Sequence, residues 1–139
     1  MLDLVFEDVA ILQLDASAIS EWYVKVSLQE NKEFGDVTII FCSDEYLLEV
    51  NRQHLDHDYY TDIITFDYSE FPIVSGDLFI SVDRVRENAS DFKVSFEHEL
   101  HRVIIHGFLH LCGYFDKSEE DELLMRSKEN QALSLIGFK

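Results

Sequence analysis

The sequence predicts an α+β domain, a small sheet of about four strands with about five helices packed on it. Short β-branched runs bounded by turn residues fill the earlier part of the chain, "DVTIIFCS" being the strongest. From Arg84 onward the apolar spacing is helical. The 139 residues hold one proline, Pro72, and no repetitive or linker-like tract, so a single domain spanning 1–139 is expected.

Residues 2–6 and 11–14 are short apolar runs of strand type. "SAISEWYVKVSLQEN" places Ile19, Trp22, Tyr23 and Val26 at helical intervals and predicts a first helix. "DVTIIFCS", between Gly35-Asp36 and Ser43-Asp44, reads as a buried strand. "DEYLLEVNRQHL" follows as a helix starting near Ser43, and residues 62–66 form the next strand. A turn at Ser75-Gly76 leads into the alternating strand "GDLFISVD". "RVRENASDF" is then a short helix and "SFEHELHRVIIHGFLHLC" a long one. Ser118 opens the last helix through a capping box with Asp121, and Glu119 and Glu120 suit the positive end of its dipole.

Hydrophobic residues make up 47% and charged residues 28% of the chain, as in ordinary globular proteins. With 28 acids against 11 bases the formal charge is −17, a surface that favours solubility and repels phosphate backbones and anionic lipids. No run approaches the roughly 18 apolar residues of a membrane span. The opening "MLDLVFEDVA" lacks the basic region of a signal peptide. Cys42 and Cys112 have neither metal-type nor redox-type spacing, so the expected compartment is the reducing cytoplasm.

The chemistry lies in "IIHGFLHLCGYFDKSEEDE", residues 104–122. Leu100, Ile104, Phe108 and Leu111 form the core stripe of the long helix. His106 and His110 lie on another stripe, one turn apart, where two imidazoles can share a metal ion. Gly113 supplies the left-handed residue that ends the helix, and the reversing chain can present Asp116 to the open side of the ion. Gly107 costs about 1 kcal/mol against alanine inside a helix, which suggests that something approaches the backbone closely. A surface histidine pair without a role accounts for neither glycine nor carboxylate. The expected metal ligands are therefore His106, His110 and Asp116.

The other candidates are weaker. His98 and His101 read as surface or edge residues, His101 pointing well away from the pair. His54 and His57 sit in a helix-to-strand loop, where polar residues need no special role. Cys112 lies off the ligand stripe and reads as a packed thiol.

"HGFLHLCGY", followed by an acidic helix with Met125, resembles the signature of the YbeY rRNA maturation factors, bacterial endoribonucleases. Their pattern is H-G-x-L-H-L-x-G-Y-D-H, with three zinc-binding histidines. "NRQHLDHDYYTDIITF" is similar to the family's N-R-x-Y-R-x-x-D-x-P-T-D-V-L-S-F, and "GDLFISVDRVRENA" to its G-D-I-x-I-S segment. Asp116 stands where the family has its third histidine, and Phe115 where it has an aspartate. A carboxylate is a competent zinc ligand. Leu55 occupies the place of a family arginine, for which Arg52, one turn earlier, is the candidate catalytic substitute.

The resemblance implies a mixed sheet with a metal-centred cleft and one Zn2+ per chain, another divalent metal being a possible occupant. It implies a single-strand-specific endoribonuclease of late rRNA maturation, at the 16S 3′ end, and of ribosome quality control. Expected partners are rRNA and the small ribosomal subunit, with a ribosomal protein or GTPase, and neither membrane nor DNA. The loop at 55–61 and the strand end near Ser81 would line the cleft, with Tyr59 and Tyr60 placed to stack on unpaired bases. Two rivals stand beside this reading. A metal-dependent peptidase or other hydrolase suits the acidic surface, but the general-base position of zinc proteases is held by Gly107. A non-catalytic ribosome-associated module would close a structural metal with a fourth donor such as His54 or His57.

Overall fold

The computed structural model describes residues 1–138 and gives the element order β1 (Leu2–Phe6), α1 (Ala16–Gln29), β2 (Glu33–Cys42), α2 (Asp44–Leu55), β3 (Ile63–Asp67), β4 (Ile73–Ser81), α3 (Val82–Phe92), α4 (Phe96–Leu111) and α5 (Glu119–Ser134). The strands lie in the order β1-β2-β4-β3. β1 and β4 both run parallel to β2, and β3 pairs antiparallel with β4. This is the mixed α+β architecture expected.

All five helices start in the same way. The side chains of Asp15, Ser43, Ser81, Ser95 and Ser118 each accept the backbone N–H three residues on, satisfying an amide that the helix itself leaves free. The core forms where α1 and α4 meet the sheet. Tyr23 stacks on Phe108 with ring centroids 4.0 Å apart and donates its hydroxyl to the Ile104 carbonyl at 2.9 Å. Trp22 ties α1 to α5 by donating its indole N–H to the Ala132 carbonyl at 2.8 Å.

Helix α4 sits unusually close to the strands, and Gly107 is the reason. A Cβ there would lie 2.6 Å from Ile63 Cδ1 and 3.0 Å from Leu78 Cδ2. What approaches this backbone is the sheet rather than a ligand. Gly76 does the same from the other side, where a Cβ would meet the Phe66 carbonyl at 2.5 Å and Leu111 at 2.7 Å.

Three local expectations are corrected. Residues 11–14 form no strand; Leu12 and Leu14 pack on the core as irregular chain, which an apolar run does as readily as pairing. β2 begins at Glu33, before Gly35-Asp36, and those residues lie at a register shift between Phe34 and Val37. Ser75-Gly76 lies inside β4 and is not a turn; its glycine makes room for α4.

Gly107→Ala should therefore lower stability by roughly 1–3 kcal/mol, the cost of overpacking, although alanine is the better helix former. Denaturant unfolding measures it. A stabilised variant would show that the sheet does not seat α4 at this point.

Candidate metal centre

His106 and His110 occupy successive turns near the end of α4, their ring planes at 87° to one another. Their Nε2 atoms face each other at 3.0 Å. Asp116 Oδ2 lies 3.4 Å from His106 Nε2 and 3.2 Å from His110 Nε2. The turn that brings the carboxylate back is built by Gly113, whose φ is 109°. Gly113 N–H donates to the His110 carbonyl at 3.0 Å and Tyr114 N–H to the Leu109 carbonyl at 3.1 Å. Those two bonds close the helix end as a Schellman motif. Tyr114 is anchored through its hydroxyl on Glu30, a carboxylate that also accepts from Lys128 at 3.2 Å.

The far nitrogens of both rings are engaged. His110 Nδ1 meets the Tyr114 carbonyl at 2.8 Å and His106 Nδ1 meets Glu129 Oε2 at 2.6 Å. Both partners accept only, so each ring carries a proton on Nδ1 and directs Nε2 into the site. Two imidazole nitrogens and a carboxylate oxygen then converge on one point. Such a convergence is stable around positive charge. A single proton on one Nε2 bridges to one partner, whereas a metal ion meets all three donors. The chemistry of the set, two nitrogens and one oxygen within 4.8 Å, fits a zinc-type ion with ligand positions to spare.

Glu129 is only 4% exposed, and its other oxygen accepts from Arg102 at 2.8 Å. Burial acts to raise its pKa, but the hydrogen bonds from His106 and Arg102 prevail and hold it low, so the carboxylate stays ionised. Burial acts to lower the pKa of His106, yet Glu129, Asp62 and Asp116 prevail and raise it. The site thus favours positive charge at this ring. Sequence reasoning missed Glu129 because it is one more acid on an acidic helix. The Tyr114 carbonyl was equally invisible, being backbone.

A cavity of about 680 Å³ opens over His106 and Asp116, lined also by Asp62, Glu99, Arg102 and Arg126. Arg52 is not among its lining residues; it pairs with Asp58 at 2.6 Å and Glu49 at 3.7 Å. Residues 55–61 and Ser81 do not line it either, although Asp62, next in the chain, does. Tyr59 stacks on His57 at 5.2 Å between centroids, and Tyr60 donates to Glu45 at 2.6 Å. His98 and His101, expected at the surface or an edge, are half-buried at an edge of the core, packed against Phe138 and Trp22. His54 stands edge-on to Phe66, and among the described residues neither it nor His57 joins the donor group. Cys112 is a packed thiol, as expected, its pKa pushed up to about 12 by burial.

A family model described as Endoribonuclease YbeY matches residues 7–137. The chain belongs to the YbeY family. A protein named Endoribonuclease YbeY from Flavobacterium psychrophilum is 59% identical over 118 residues, covering 85% of this chain and 84% of that protein. One of the same name from Parabacteroides distasonis is 52% identical over 130 residues, covering 94% and 92%. The solution structure of a Thermotoga maritima protein superposes with a TM-score of 0.68 at 25% identity, over 96% of this chain and 87% of that one.

Because Glu129 fixes the tautomer and orientation of His106, Glu129→Gln should weaken Zn2+ affinity by about 10- to 100-fold. Competition with a chromophoric chelator measures this. Unchanged affinity would show that the carboxylate serves Arg102 alone.

Proposed function

We propose that this YbeY-family chain is a metal-dependent endoribonuclease that cleaves single-stranded RNA, with His106, His110 and Asp116 holding one zinc ion. The observation that carries the reading is the convergence of these three donors, two of which, His106 and Asp116, line an open cavity, both rings being oriented through Nδ1. When bound, the ion supplies Lewis-acid chemistry at a phosphodiester. The rest is done by the protein. Glu129 and the Tyr114 carbonyl hold the two imidazoles, and Gly113 returns Asp116 to them. Arg126 lines the same cavity with its side chain 57% exposed, where its charge offsets the −17 surface for an incoming phosphate.

The names of the relatives support RNA as the substrate. We place the activity in late rRNA maturation at the 16S 3′ end and in ribosome quality control, in the cytoplasm. The small ribosomal subunit, with a ribosomal protein or GTPase, supplies contacts that so acidic a chain lacks. A peptidase mechanism is disfavoured by Gly107, whose position is filled by the sheet rather than by a base. A closed structural site is disfavoured because the donor group has three members among the described residues.

Metal content and cleavage of a single-stranded rRNA fragment, measured for wild type, His110→Ala and Asp116→Ala, test the proposal. About one zinc per chain is expected in the wild type, with metal and cleavage lost together in both variants. Zinc retained in Asp116→Ala would remove that residue from the ligand set, and cleavage by metal-free protein would refute the mechanism.

A further inference from the structure

Glu99 has no part in holding the metal, yet it is the least ordinary carboxylate in the molecule. It is 4% exposed, and among the described residues no side chain or backbone group donates a hydrogen bond to its carboxylate. It does not stand among the buried polar atoms sealed from solvent, because it lines the cavity beside His106. Burial, followed by the charge of Asp62, pushes its pKa up to about 7. Asp62 lines the same cavity and accepts a 3.3 Å hydrogen bond from Asn88.

A second metal ion is the first explanation to consider. It fails because the described residues contain one group of three converging donors, and Glu99 is not in it. A cationic side chain from a protein partner is the second. Arg102 and Arg126 already supply positive charge to Glu99 from the same wall, so a further cation is not what the carboxylate lacks. The remaining lining combines apolar Phe92, Val103, Leu123 and Met125 with polar Asn88, Glu119 and Glu122. A flat, uncharged guest with N–H donors on one edge matches both features.

Resting on the endoribonuclease reading, we propose that this cavity is a nucleobase pocket in which the unpartnered Glu99 carboxylate reads the donor edge of a base, guanine fitting best. Guanine alone offers two adjacent N–H donors, N1–H and the exocyclic amine, to the two oxygens of one carboxylate. Uracil presents one N–H flanked by carbonyl oxygens and fits worst. Glu99 and His106 lie seven residues apart on α4, about 10 Å along its axis. That is the reach of a nucleoside from its phosphate, so a base on Glu99 leaves its phosphate near the histidines and Arg126.

The test is the affinity of the zinc-loaded protein for GMP and UMP, wild type beside Glu99→Gln, with cleavage of unstructured oligonucleotides in parallel. GMP should bind roughly tenfold or more tightly than UMP, as a bidentate side chain–base pair discriminates, and Glu99→Gln should abolish the difference. The amide is isosteric and removes a buried charge, so the variant's melting temperature should not fall. Equal affinities in the wild type, or a preference kept in Glu99→Gln, would overturn the pocket, as would failure to bind either nucleotide. Cleavage without base preference would overturn the pocket and leave the nuclease standing. Selective GMP binding without cleavage would sustain the pocket and refute the nuclease.

Discussion

The site depends on one hydrogen bond, that between His106 Nδ1 and Glu129 Oε2, 2.6 Å long and largely shielded from water. It joins the end of α4 to α5, fixes the ring's tautomer and points Nε2 at its neighbour. Without it His106 is free to rotate, and the approach of two imidazole nitrogens to 3.0 Å has no reason to persist. His106 and Arg102 together keep Glu129 anionic, so the positioning runs through a chain of arginine, carboxylate and imidazole. Buried charge of this kind is expensive unless every member is paired. Here each member has its partner.

That precision is useful only if α4 is itself fixed. Gly107 lets the Ile63 and Leu78 side chains reach the backbone of α4, Gly76 lets the Leu111 side chain reach that of β4, and Tyr23 grips the helix through Phe108 and the Ile104 carbonyl. α4 is therefore clamped along its length before its last turn presents the histidines. The cavity is the complement of this packing, bounded by α4 and by residues of α3 and α5 such as Phe92 and Leu123. His106 and His110 at one end and Glu99, without a hydrogen-bond donor among the described residues, at the other share one face of α4.

Much of this was legible in the sequence because it is local. The caps at Ser43 and Ser118, the four strands in outline, the pair at 106 and 110, and the turn through Gly113 to Asp116 are all written within a few residues of where they lie. The partners that come from afar were not legible. Glu129 lies 23 residues beyond His106 and is indistinguishable by spacing from its acidic neighbours. Glu99 looks like a first-turn acid of α4 until the packing buries it. Gly107 was read as a sign of close approach, which holds, but the approaching body is the sheet. Gly76 was read as a turn, because glycine signals backbone freedom and close packing with the same letter.

The central claim is that two Nε2 atoms and the Asp116 carboxylate share one ion while both Nδ1 atoms remain on protein acceptors. Anomalous diffraction at the zinc absorption edge, from crystals grown with Zn2+, tests it most directly. The account predicts a single strong peak among His106, His110 and Asp116, with Glu129 and the Tyr114 carbonyl still bonded to the rings. A peak elsewhere, or an ion bound through Nδ1 with Glu129 displaced, would contradict it.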